Sequence, residues 1–316
     1  MSSTDFIPGD YPLSAIVTAE FASTKRRGAM IAAVFAMQGI GQAVASLMAL
    51  IVTQAFRSRL EPAKSVNQCG AECLHAVDIM WRILLAFGGI PGWFALYYRL
   101  TIPETPRYTF DVLHDIEKAT ADTQMYRSGK RGEGHVDRLT QARTRQEMKV
   151  YKRPPPTVLD QLKFFCKWKN GVKLIGTAGS WFFLDTAFYG LGLNTGSILG
   201  SIGFNRKDNV YDMLHNVAVG QLFLVCAGAI PGYWVTVATI DRLGRRIIQI
   251  GGFVILTVLF AVIGFKYDDL SQNGLLALYI LSQFFFNFGE PQAIPTLLNI
   301  ELTVCRSKCD NLHLAS

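Results

Sequence analysis

The sequence predicts an all-α protein that crosses a membrane several times. Three observations predict it. Half of the 316 residues are hydrophobic and only 17% are charged, against about 25% in an average soluble protein. The charge-poor runs are too long for a soluble core. Residues 29–56 and 213–240 hold no charge, nor do 247–265, and Leu174–Asn205 holds only Asp185. About 20 apolar residues, at ~1.5 Å rise each, cross a ~30 Å hydrocarbon core. Basic residues collect in alternate loops, as they do in cytoplasmic loops of membrane proteins. These features exclude a disordered chain and argue against a soluble enzyme. The excess of 31 basic over 24 acidic residues follows from that placement, so the lipid bilayer is the expected partner and nucleic acid is not.

Seven apolar segments are expected in order: about 6–21, 29–56, 80–100, 172–204, 213–240, 247–265 and 275–289. The first is short and carries Asp10 and Glu20, and the last is short as well. An odd count with short ends leads to the expectation that the chain lacks something at each end. Three basic loops fall after the first, third and fifth segments: Lys25-Arg26-Arg27, residues 101–170, and Arg242 with Arg245 and Arg246. They share one side, which the positive-inside bias makes cytoplasmic. Residues 57–79, 205–212 and 266–273 then face out.

The 101–170 insert holds 14 Lys/Arg and 9 Asp/Glu. It reads as helical over 105–126, disordered over 128–134, and stiffened by Pro154-Pro155-Pro156. A solvated linker between two helical bundles is the expectation, with a docking or phosphorylation segment as the alternative. No cleavable signal peptide is evident. Cys69 and Cys73 can pair if their loop faces outside, although a spacing of four is awkward on a helix. No second ligand pair accompanies them, and no metal is expected.

A carboxyl inside an apolar span is a functional candidate by default. Asp185 lies about 12 residues into such a span, with Trp181 and Tyr189 four residues to either side. At 100° per residue the three share one helix face. That face offers an indole N–H, a carboxyl and a phenol, and the alternative is an aromatic packing face. Asp10 and Tyr11 set another carboxyl beside a phenol at a Gly/Pro-disturbed point. Gln38 and Gln42 lie one turn apart in the second segment. An amide at membrane depth needs a partner; Gln42 reads as packing glue, and Gln38 as glue or ligand contact. Asp241-Arg242-Leu243-Gly244-Arg245-Arg246 reads either as ordinary positive-inside charge or as a latch between helix ends.

These residues are also familiar as a set. Gly232 followed by Asp241-Arg-Leu-Gly-Arg-Arg246 resembles the loop signature of the major facilitator superfamily. Pro103-Glu-Thr-Pro-Arg-Tyr108 resembles the motif that ends its sixth helix. Gly9-Asp-Tyr-Pro-Leu-Ser-Ala15, Ala33-Val-Phe-Ala-Met-Gln-Gly39 and Trp181-Phe-Phe-Leu-Asp-Thr-Ala-Phe-Tyr-Gly190 are similar to fungal and plant proton-coupled inorganic phosphate transporters. The match runs from about Gly9 to Gly289.

The resemblance implies a partial major facilitator fold, about helices four to ten of twelve. Residues 1–100 would be the remnant of the N-terminal bundle (helices four to six) and 101–170 the cytoplasmic linker. Residues 171–289 would be a partial C-terminal bundle (helices seven to ten), and 290–316 a tail outside the family pattern. The implied function is proton symport of inorganic phosphate into the cell across the plasma membrane. Tyr11, Gln38, Trp181, Asp185 and Tyr189 would bind phosphate, and Asp10 and Asp185 would move protons. The coupling ion is the proton and no other cofactor is expected. The alternatives are a non-transporting fragment or mis-spliced product, and a sugar or organic-ion porter of the same fold. An enzyme is not expected, because no Gly-Lys phosphate loop, HExxH or GxSxG occurs.

Overall fold

The computed structural model describes residues 14–15, 17–19, 21–22, 26–101, 158–204 and 209–289. Asp10, Tyr11, the expected features of 102–157 and the tail from 290 onward lie outside the described residues. All regular structure among the described residues is helical. Eight helices carry labels here: α1 Arg27–Ala55, α2 Ala71–Thr101, α3 Val158–Phe165, α4 Trp168–Leu193, α5 Val210–Leu224, α6 Ile230–Leu243, α7 Arg245–Phe265 and α8 Gln272–Gly289.

Among the described residues, four helices are long and apolar enough to cross a membrane: α1, α2, the continuous α5–α6 run and α7. The first expected segment lies mostly outside the described residues. Two others, 172–204 and 275–289, form α4 and α8 but are not among the four. In α4 the cause is composition, since Asp185, Trp181, Tyr189 and several Gly, Ser and Thr residues dilute its hydropathy. That helix also stops at Leu193, and the chain continues as a short helix, Thr195–Leu199, and a wide turn, Gly200–Phe204.

The chain divides into two compact units, residues 25–95 with 177–296, and residues 1–24 with 96–176 and 297–316. In the first, α1 packs on α5 and α6, α6 on α8, and α8 on α7. The α5–α6 run is antiparallel to α1 along its whole length. At one end Val52 of α1 clusters with Val210 and Tyr211, and the Val210 N–H donates to Ala63 O at 2.9 Å. At mid-helix Gly39 meets the Tyr233 ring, and at the other end Ala32 packs with Ile240 and Ile248. The junction between α5 and α6 is a π-helical turn, Val225–Ala229, just before Pro231. Proline has no N–H and crowds the preceding turn, and a widened turn accommodates both.

Helix α2 starts nine residues before the expected segment. Its first turns carry Glu72, His75, Asp78 and Arg82, which hide it from a hydropathy reading. Asp78 accepts from the Trp81 indole at 2.9 Å and pairs with Arg82 at 3.0 Å. Cys69 and Cys73 form a disulfide with Cα atoms 5.3 Å apart. The spacing of four is no obstacle, because Cys69 precedes the helix in extended conformation and only Cys73 is helical. In the second unit, Arg99 donates to the Ser14 hydroxyl at 2.7 Å.

Candidate substrate-binding site

Helix α4 places Trp181, Asp185 and Tyr189 on one face, as their spacing requires. The Trp181 indole and the Asp185 carboxyl lie one turn apart on this face, and both side chains are half-buried. Tyr189 is exposed, and the Phe188 ring stands edge-on to it at 5.5 Å. The adjacent side of α4 holds the helix in the bundle. Leu184 is buried with Leu256 of α7 and Phe286 of α8, and Phe188 meets Phe286 edge-on at 5.8 Å. One face is thus fixed by apolar contacts while the face beside it presents a carboxyl between an indole and a phenol. A narrow crevice between α4 and α7, lined by Ser180, Leu184, Gln249, Phe253 and Phe285, lies on the apolar side and does not include Asp185.

Gln38 sits half-buried on α1, one turn before Gln42. The main packing partners of α1 are α5 and α6, not α4, so Gln38 and the α4 residues belong to separate walls. The Gln42 carbonyl accepts from Ser46 Oγ at 2.8 Å.

The loop motif is a close-packed corner. Gly244 has φ +81°, a backbone conformation that favours glycine, and it ends α6 and starts α7 without a connecting loop. Asp241 Oδ1 lies 2.5 Å from where a Cβ on Gly28 would stand. The carboxylate therefore rests against the first turn of α1, where the helix dipole favours negative charge. Arg245 lies within electrostatic range of both Asp241 and Arg27. Arg242 and Arg246 are exposed.

A second polar node escaped the sequence reading. Thr236 and Asn287 are fully buried between α6 and α8. The Thr236 hydroxyl is 2.8 Å from Phe288 O, and Asn287 Nδ2 donates to Gln283 O at 2.6 Å. Gly232 makes the approach possible, since a Cβ there would overlap the Phe284 carbonyl. The available signal was a polar residue inside each of two apolar runs. Among the described residues no three His, Cys, Asp or Glu converge on a possible metal position.

A bundle of long apolar helices with polar side chains inside the spans is that of a polytopic membrane protein, and comparison with known proteins agrees. Residues 7–309 match the family described as "Sugar (and other) transporter". The chain belongs to that family, within the major facilitator superfamily, and is a multi-pass membrane protein. It is 52% identical over 286 residues to the repressible high-affinity phosphate permease of Neurospora crassa, covering 90% of this chain and 50% of that protein. It is 49% identical over 288 residues to the inorganic phosphate transporter PHO84 of Saccharomyces cerevisiae, covering 90% and 49%. Identity to the inorganic phosphate transporter 1-2 of Oryza sativa subsp. japonica is 35% over 319 residues, covering 98% and 58%. The chain spans about half the length of the two fungal relatives.

Proposed function

We propose that this chain serves proton-coupled import of inorganic phosphate across the plasma membrane, with residues 101–170 on the cytoplasmic side. The observation that carries the reading is the Trp181–Asp185 pair on α4, in a chain about half identical to two proteins named for phosphate transport. Phosphate offers oxygen acceptors and, when protonated, donors. Tyr11, Gln38, Trp181 and Tyr189 supply neutral donors and acceptors to match.

Asp185 supplies the coupling, with Asp10 as a second proton carrier. Ionised, Asp185 repels the anion. Like charges ~4 Å apart at an effective dielectric constant of about 20 repel by about 4 kcal/mol, roughly a thousandfold in affinity. Protonated, the same carboxyl donates to a phosphate oxygen. The Trp181 N–H, one turn away on the same face, is a further donor to the ligand. Proton and phosphate therefore bind cooperatively, and each raises the affinity for the other by the same factor. The Asp241–Arg246 corner fastens α6, α7 and α1 at the cytoplasmic end.

The test is uptake of radiolabelled phosphate by cells that lack their own phosphate importers. Uptake faster at acid than at alkaline external pH, reduced by excess arsenate but not by glucose, is the expected result. Competition by glucose or an organic cation, with none by arsenate, would assign the chain to the alternative substrate class.

A further inference from the structure

We propose that α3 and the turn that follows it, residues 158–169, rest on the anionic phospholipid surface at which α4 enters the membrane. The inference rests on the reading that α4 crosses the bilayer with its N-terminus on the cytoplasmic side, but it concerns a segment to which transport assigns no role.

Leu159, Leu162 and Phe165 recur at three-residue spacing and so share one side of α3. Leu159 is 67% and Leu162 56% exposed, and Trp168, the first residue of α4, is 81% exposed. Lys163, Lys167 and Lys169 are exposed among them. Leu159, Leu162 and Trp168, which the protein leaves exposed next to three cations, match the two layers of a membrane surface. A Trp at a helix end seats at headgroup depth, and the cytoplasmic leaflet carries the anionic lipids.

The backbone sets α3 off from the α4 axis. The helix breaks after Phe165, and both the Asn170 and Gly171 N–H groups return to Lys167 O at 2.9 Å. A Cβ on Gly171 would stand 2.7 Å from Phe165 O. In an uninterrupted helix, residues six apart do not approach in this way, since neighbours on one face are three or four apart. The chain therefore turns sharply at the first residues of α4. A segment turned off a spanning helix where it leaves the hydrocarbon lies along the membrane surface.

The experiment is amide hydrogen exchange of the full chain in nanodiscs of phosphatidylcholine alone and of phosphatidylcholine with phosphatidylserine. Exchange in 158–169 is expected to slow on adding phosphatidylserine, by roughly fivefold for each lysine engaged. The K163E/K167E/K169E variant should lose that response. Leu162→Asp should speed exchange in both lipids. Should the glutamate variant disturb the bundle, seen as faster exchange in α7, the corresponding glutamine variant replaces it. Equal exchange in both lipids, with α4 itself protected, overturns the proposal and leaves the transport reading intact. Exchange that is equally fast in α3 and α4 overturns the membrane placement of α4 as well.

Discussion

A carboxylate oxygen of Asp241 stands 2.5 Å from the position a Cβ on Gly28 would take, although 213 residues separate the two in sequence. The contact joins the last turn of α6 to the first turn of α1. The obstructing atom is the end of a flexible side chain, so Gly28→Ala costs little by overlap alone. It displaces the carboxylate from the helix N-terminus, where a charge is worth about 0.3–1 kcal/mol. Asp241→Asn should lose the same amount without the overlap. Thermal unfolding in detergent should therefore shift similarly for both variants. A much larger shift for Gly28→Ala alone would show that the backbones, not the charge, set this contact.

Gly232 presents the opposite case. A Cβ there meets the backbone carbonyl of Phe284, which has no rotamer to change. Gly232→Ala must separate α6 from α8 and disturb the buried Thr236–Asn287 node. Overpacking of this kind costs typically about 1–3 kcal/mol. Destabilisation of Gly232→Ala beyond that of Gly28→Ala is expected, and equal values would contradict the α6–α8 packing.

The Cys69–Cys73 disulfide fastens the first turn of α2, with Cys73 buried against Val52, Leu60 and Tyr211. Closing so short a loop contributes about 2 kcal/mol in the chain-entropy description. Reduction should speed hydrogen exchange in the first turns of α2 and leave α7 unchanged. A disulfide is kept in an oxidising compartment, as the proposed topology with residues 57–79 on the outer face requires. A membrane-impermeant reductant should open the bridge in intact cells, and resistance to it would reverse the assigned topology.

Much of the fold was legible because the bilayer imposes a simple rule. The charge-free runs of α1, α5–α6 and α7 announce themselves, and spacing alone put Trp181, Asp185 and Tyr189 on one face. The early start of α2 was hidden because its first turns carry Glu72, Asp78 and Arg82, of which Asp78 and Arg82 pair one turn apart. The close approaches of Gly28 to Asp241 and of Gly232 to Phe284 were not legible. Each depends on which helices become neighbours, and a glycine gives no sign of what will lie against it. The off-axis turn between α3 and α4 is legible only as Gly171, one glycine among 28.

Trp181→Phe keeps most of the ring and removes the N–H. Losing a hydrogen bond to a charged ligand costs about 1.5–3 kcal/mol, an affinity loss of roughly tenfold or more. The apparent phosphate affinity should fall by that amount at acid pH while the protein remains folded in the membrane. Tyr189→Phe should weaken affinity by the same mechanism. Unchanged affinity in both variants would return this face to a packing role.

The coupling role of Asp185 is the centre of the account, and phosphate uptake by Asp185→Asn under an imposed proton gradient tests it most directly. Asparagine keeps the shape and cannot take up or release a proton. The account predicts a variant that reaches the membrane normally but shows no gradient-driven phosphate accumulation and no phosphate-dependent proton entry. Accumulation at the unsubstituted rate, with the same dependence on pH, would contradict it.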